Sequence, residues 1–117
     1  MSNQETKIQQ EIRLALGRIK NLRLFRNETG QLPDPRTDRW VQFGLAKGSS
    51  DLIGFKTIKI TQDMVGSSVA QFVSIEVKTP KGRPTEVQKN WLQCIKSAGG
   101  ISGIARSIED AKKILDL

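Results

Sequence analysis

Hydrophobic positions recur along this chain with two different periods, and the change of period marks the predicted elements. In residues 3–22 the spacing is helical, which predicts an amphipathic helix with an apolar stripe of Ile8, Ile12, Ala15 and Ile19. Farther along, alternation of apolar and polar residues predicts strands. The predicted strands are residues 23–26, 40–46, 52–60 and 69–79.

Turn-forming residues separate these strands. Residues 27–39 contain one glycine and two prolines among other turn formers, and they are predicted to form a loop. Residues 62–68 predict a hairpin connection between the third and fourth strands. Gly54 predicts a bend within the third strand.

The last third of the chain predicts helix, strand and helix. Thr85 and Gln88 stand three residues apart at the start of a helical pattern, which is the signature of a capping box, and a glycine pair ends that pattern. A short strand over residues 101–106 and a final helix opened by Ser107 follow. This order predicts an α/β fold in which a mostly antiparallel central region connects by a crossover to the last strand.

Length and composition limit the classes of protein. A chain of 117 residues suits a single domain over residues 1–117, and 26% charged with 37% hydrophobic residues indicates a folded, soluble protein. No apolar run approaches the roughly 18 residues that cross a bilayer. The polar amino terminus predicts neither a secretory signal nor a transit peptide. A single cysteine, Cys94, excludes an internal disulfide and favours a reducing, cytoplasmic location.

The absence of histidine narrows the possible chemistry. With no histidine and one cysteine, a structural zinc site and a histidine-dependent catalytic triad are excluded. Any metal would be a hard ion such as Mg²⁺ or Mn²⁺, bound by carboxylates and carbonyls. The net charge of +7, from 19 basic and 12 acidic residues, favours a polyanionic partner such as nucleic acid.

Two opposite charges lie inside the fourth predicted strand. Glu76 and Lys78 share one face of this strand, while Val73, Ile75 and Val77 share the other, so the strand looks buried apart from its charges. A solvent-exposed ion pair would explain this arrangement. An active site that needs an anion to bind a metal, with a cation beside it, would explain it equally well.

Three further polar residues have two interpretations each. Asp51 could converge with Glu76 if their strands pair, or it could simply end a turn. Gln88 could act at the same place, or it could only close the capping box. Glu11 borders the apolar stripe of the first helix, where a glutamate is more often solvated than functional.

Five short elements, in this order, resemble the virus-type replication-repair nuclease (VRR-NUC) family of the PD-(D/E)XK nuclease superfamily. They are Glu11, RNETG (Arg26–Gly30), GSSD (Gly48–Asp51), EVK (Glu76–Lys78) and Gln88. The tail is similar to the closing strand and helix of the family, so the resemblance spans nearly the whole chain. It implies a restriction-endonuclease-like core, with a mixed central sheet flanked by helices. Asp51 follows a serine rather than the proline of the superfamily's name.

The resemblance also implies roles for these residues. Asp51 and Glu76 would bind Mg²⁺ or Mn²⁺ together with the backbone carbonyl of Val77, and Lys78 would be the catalytic lysine. Glu11 would reach the metal or its water. The role implied for Gln88 is to orient Lys78 or a phosphate. Neighbouring basic residues are candidates for DNA contact, above all Arg26, Lys47, Lys81 and Arg83.

The activity implied by the resemblance is metal-assisted hydrolysis of DNA phosphodiester bonds. A domain this small has little surface to read a base sequence, so structure-selective cutting is favoured. Stand-alone members of the family resemble homodimers that act on branched DNA, including four-way (Holliday) junctions. The family name suggests a phage or mobile-element origin, and hence the host cytoplasm. Three alternatives stay open: a nuclease for flaps, nicks or ends, a basic nucleic-acid-binding module without chemistry, and a structural subunit that binds a protein partner.

Overall fold

Residues 3–117 are described by a computed structural model; Met1 and Ser2, which belong to the predicted domain, lie outside the described residues. Contacts divide the chain into two units, one ending at Lys56 and the other beginning at Thr57. Both helices and strands are present, which confirms the α/β class.

The described residues of the first unit form one helix and two antiparallel strand pairs. Its elements are α1 (Asn3–Leu16), β1 (Leu22–Arg26), β2 (Gly30–Pro33), β3 (Trp40–Phe43) and β4 (Leu52–Lys56). β1 pairs with β4, and β2 pairs with β3.

The β1–β4 pair is close-packed at a glycine. Gly54 lies opposite Leu24, and a Cβ atom on Gly54 would collide with the carbonyl oxygen of Arg23, so only glycine fits there. Phe25 and Phe55 lie on diagonal positions of the same pair, with ring centroids 6.2 Å apart. The glycine in this strand is therefore explained by a close approach of two backbones.

The first helix is shorter than its hydrophobic pattern predicts. α1 ends at Leu16, and the N–H of Gly17 donates to the carbonyl of Arg13 as the helix closes. Asn21 then adopts a left-handed φ of 68°, which turns the chain into β1. The prediction that Ile19 continues the helical stripe was therefore wrong.

The predicted loop over residues 27–39 contains a strand. β2 pairs with β3 in a register that places Gly30 opposite Phe43 and Pro33 opposite Trp40. The local composition favours turns, but the cross-strand partner determines the conformation. Pro33 is tolerated because it stands at the end of the strand, where its missing N–H costs little.

The second unit is built around a crossover. Its elements are a short 3₁₀ helix (Gln62–Met64), β5 (Val73–Val77), α2 (Glu86–Ser97), β6 (Ile101–Ala105) and α3 (Ile108–Leu115). β5 and β6 are parallel and α2 connects them, so the predicted crossover is confirmed. Thr85 and Ser107 cap the two helices as predicted.

The two helices of this unit cover opposite faces of β6. The buried Ser102 hydroxyl donates to the carbonyl of Leu92 in α2 at 2.6 Å. On the other face, a Cβ on Gly103 would lie 2.8 Å from Ile114 of α3. Consecutive strand residues point to opposite faces, so β6 is enclosed between α2 and α3. Ile95 of α2 is 1% exposed and forms the centre of this core.

The single central sheet implied by the resemblance is not confirmed. Within residues 3–117 the strands form three two-stranded pairs, and the hairpin predicted between the strands at 52–60 and 69–79 is not among them. β4 and β5 are also shorter than those predicted strands, because the residues between them form irregular backbone and a 3₁₀ helix.

Candidate functional site

The charged face of β5 is more covered than its apolar face. The Lys78 Nζ lies 3.7 Å from the Glu76 Oε2, and the two side chains are 20% and 30% exposed. Val77, on the opposite face, is 74% exposed. The predicted shared face of Glu76 and Lys78 is confirmed, but the expected burial of Val77 was wrong. A partly covered carboxylate beside an amine can bind a cation and a phosphate oxygen at neighbouring positions.

The backbone of β5 directs the Val77 carbonyl away from β6. The N–H of Lys78 donates to the Ala105 carbonyl at 3.1 Å. In a parallel ladder, successive residues turn their N–H and C=O groups to opposite sides of the strand. The Val77 carbonyl therefore points to the side that does not face β6, which is compatible with the ligand role implied by the resemblance.

Gln88 closes the capping box and lies on the face of α2 that packs against β5. The N–H of Thr85 donates to Gln88 Oε1 at 2.9 Å, and the N–H of Gln88 donates to Thr85 Oγ1 at 3.2 Å. One turn later, Trp91 Nε1 donates to Ser74 Oγ at 2.8 Å, which fixes this face against β5. Because Oε1 already accepts a bond, the Nε2 amide is the group suited to a new partner. As a donor it suits a phosphate oxygen, whereas the Lys78 ammonium is a donor itself.

In the first unit, Asn27 ties the GSSD turn to the end of β1. Its Nδ2 donates to Ser49 Oγ at 2.7 Å and to the Ser50 carbonyl at 2.9 Å, and its Oδ1 accepts from the N–H of Leu45 at 3.2 Å. Its backbone N–H donates to the Asp51 carbonyl at 2.8 Å. Asn27 therefore positions Asp51. The RNETG element was recognised in the sequence, but this role of its asparagine was not predicted.

Asp51 lines a cavity of ≈ 300 Å³ in the first unit. The other lining residues are Leu52 and four residues of α1: Glu5, Ile8, Gln9 and Ile12. Glu11, the predicted helical glutamate, is not among them. Sequence reasoning missed Glu5, although it precedes Ile8 by three residues and Ile12 by seven, so that all three share one helical face.

The basic residues proposed for DNA contact have different surroundings. Arg26 forms an ion pair with Glu28. Lys47 is exposed in the turn that precedes Asp51. Lys81 and Arg83 line one cavity of the second unit.

The chemical type of the donor atoms suits a hard divalent cation. They are carboxylates and a backbone carbonyl, which Mg²⁺ and Mn²⁺ prefer, and the chain has no histidine. Within residues 3–117, no three acidic, histidine or cysteine side chains come together as a metal-binding group.

None of the helices in these residues has the length and apolar character needed to span a membrane.

Comparison with known proteins identifies one family. No curated protein and no solved structure shows a significant match to the chain. Residues 3–109 match the VRR-NUC domain. The match includes all five elements of the resemblance, which are Glu11, RNETG, GSSD, EVK and Gln88. The chain therefore belongs to the VRR-NUC family of nuclease domains.

Proposed function

We propose that this protein is a divalent-metal-dependent DNA endonuclease. The observation that carries the proposal is the match of residues 3–109 to the VRR-NUC domain. The partly covered Glu76–Lys78 pair supports it, because these two residues form the acidic and basic parts of the family's central motif. The net charge of +7 agrees with a polyanionic substrate.

In the proposed reaction, Asp51, Glu76 and the Val77 carbonyl would hold Mg²⁺ or Mn²⁺, as the family resemblance implies. When bound there, such an ion would supply Lewis-acid activation of water and charge stabilisation at phosphorus. Lys78 places its ammonium beside the scissile phosphate and stabilises the negative charge that develops on its oxygens. Gln88 donates a hydrogen bond from Nε2 to a phosphate oxygen.

The proposed substrate is branched DNA, such as a four-way (Holliday) junction. A domain of 117 residues offers little surface for reading a base sequence, whereas the geometry of a branch point is presented by the DNA itself. A homodimer would present two equivalent sites to the two symmetric strands of a junction. An enzyme that acts on flaps, nicks or ends would use the same residues, so a substrate panel must decide between them.

A non-catalytic DNA-binding module is the second candidate, and one observation favours it. Lys78 and Glu76 lie close enough to neutralise each other, which would explain both charges without any chemistry. In that case neither residue would be needed for DNA binding, and no metal-dependent cleavage would occur.

Cleavage of labelled junction, flap, nicked and linear duplex DNA tests the proposal. Wild-type protein, Glu76→Gln and Lys78→Met are each assayed with Mg²⁺, Mn²⁺ or EDTA. Glu109→Gln is the matched control, because Glu109 is an exposed acid in the first turn of α3. We expect metal-dependent cleavage, fastest on the junction, that Glu76→Gln and Lys78→Met abolish and Glu109→Gln retains.

Two results would contradict this expectation. Absence of cleavage in every metal, together with salt-sensitive binding by all four proteins, would identify a binding module. Cleavage that prefers flaps or nicks over the junction would retain the nuclease and reject the proposed substrate.

A further inference from the structure

The loop between β5 and α2 forms one wall of a strongly basic basin. The basin is a cavity of ≈ 580 Å³ in the second unit, and its lining contains four cationic side chains and no acidic one. These cations are Lys81, Arg83, Lys89 and Arg106. Lys89 approaches Glu86 at 3.8 Å, but both side chains are more than half exposed, so this ion pair is weak.

The loop is held in place by several independent constraints. The N–H of Gly82 donates to the Thr79 carbonyl at 3.0 Å, which closes a tight turn. Pro80 lies inside this turn and Pro84 follows it, and the ring of each proline fixes its own backbone φ. From the end of β6, Arg106 Nη2 donates to the Gly82 carbonyl at 2.9 Å. The basin is therefore preorganised, and Arg106 serves both as a tether and as part of the lining.

The basin lies directly beside the proposed catalytic lysine. A Cβ on Gly82 would lie 3.5 Å from the Cβ of Lys78 and 3.1 Å from Thr79 Oγ1, so the loop folds back onto the end of β5. The first turn of α2, whose amide dipoles favour anions, begins just after the same loop. An anionic group bound in the basin would therefore be a neighbour of the group that Lys78 contacts.

We propose that this basin binds backbone phosphates of the DNA strand on which the nuclease acts. The inference rests on the proposed function and extends it, because it adds Lys89 and Arg106 to the DNA-contacting residues. Four cations around one open cavity match a run of phosphodiesters, and a backbone contact of this kind does not depend on base sequence. The basin would thus anchor the strand while the Glu76–Lys78 pair faces the bond to be cut.

Salt-dependent DNA binding tests the proposal separately from catalysis. Affinity for a labelled single strand is measured at several KCl concentrations, in EDTA and in a Glu76→Gln background. The test variant is Lys81→Gln/Lys89→Gln, and the control is Lys112→Gln/Lys113→Gln, which removes the same charge from exposed residues of α3. The slope of log affinity against log salt is negative, and we expect the test variant to reduce its magnitude by about 1.4, at about 0.7 for each lost phosphate contact. The control should change it little.

The possible results separate the basin from the nuclease. Equal changes in the test and control variants would overturn the basin, because binding would then depend only on overall charge. Affinity that requires a terminal phosphate on the strand would also overturn the assignment to backbone phosphates. If the two variants differ as expected but wild-type protein cuts no DNA with Mg²⁺ or Mn²⁺, the basin stands and the proposed nuclease function fails.

Discussion

Two glutamates of α1 differ in the helical face that they occupy. Glu5 shares its face with Ile8 and Ile12 and lines the cavity that contains Asp51, whereas Glu11 lies outside this lining. The structure therefore favours Glu5 over Glu11 as the helical carboxylate of the proposed site. A carboxylate beside Asp51 would orient metal-bound groups or the metal ligands themselves.

Exchange of each glutamate for glutamine tests this choice. We expect Glu5→Gln to reduce the cleavage rate by about 10–100-fold and to raise the Mg²⁺ concentration needed for half-maximal rate. Glu11→Gln should cleave like the wild-type protein, which makes it the matched control on the same helix. Initial rates over a Mg²⁺ titration measure both effects. A larger loss in Glu11→Gln than in Glu5→Gln would restore the role that the sequence resemblance implied.

At the scale of elements, local signals in the sequence predict helix N-caps better than strand partners. The caps at Thr85 and Ser107 follow from residues three positions apart, and both form as predicted. The strand β2 depends on pairing with β3, which residues 27–39 do not encode by themselves. The same limit applies to the candidate site. Strand alternation is a local signal, and it predicts the shared face of Glu76 and Lys78. The role of Asn27 in positioning Asp51 could not be predicted, because its hydrogen bonds reach residues about 20 positions away in sequence.

Asn27 supports a prediction about the turn between β3 and β4. Asn27→Ala removes three side-chain hydrogen bonds, so we expect the free energy of unfolding to fall by about 1–2 kcal/mol. Because the turn positions Asp51, cleavage should also require more Mg²⁺. Asn90→Ala, an exposed position in α2, is the control. Urea unfolding and a Mg²⁺ titration of cleavage measure the two effects. Unchanged stability and metal requirement in Asn27→Ala would show that Asn27 does not position Asp51.

At the scale of the whole molecule, the β2–β3 hairpin suggests how two copies could associate. Leu32 and Val41 are cross-strand partners on one face of the hairpin, and they are 61% and 47% exposed. A two-stranded hairpin is marginally stable by itself, and a contiguous exposed apolar face favours a protein partner. A second copy is the partner that fits the proposed junction substrate, because a two-fold contact places two sites on two symmetric strands.

A charge on either face of the hairpin tests this arrangement. Leu32→Glu places a carboxylate on the apolar face, so we expect it to convert a dimer of twice 13.0 kDa into a monomer. Gln31→Glu introduces the same charge at the neighbouring residue, on the opposite face, and should leave the dimer intact. Sedimentation velocity measures the mass, and a junction assay counts paired cuts. The Leu32→Glu monomer should nick single strands but lose paired cutting, because the second site is no longer held on the same DNA. A wild-type protein that stays monomeric on junction DNA would reject the dimer, and a dimeric Leu32→Glu would move the contact to another surface.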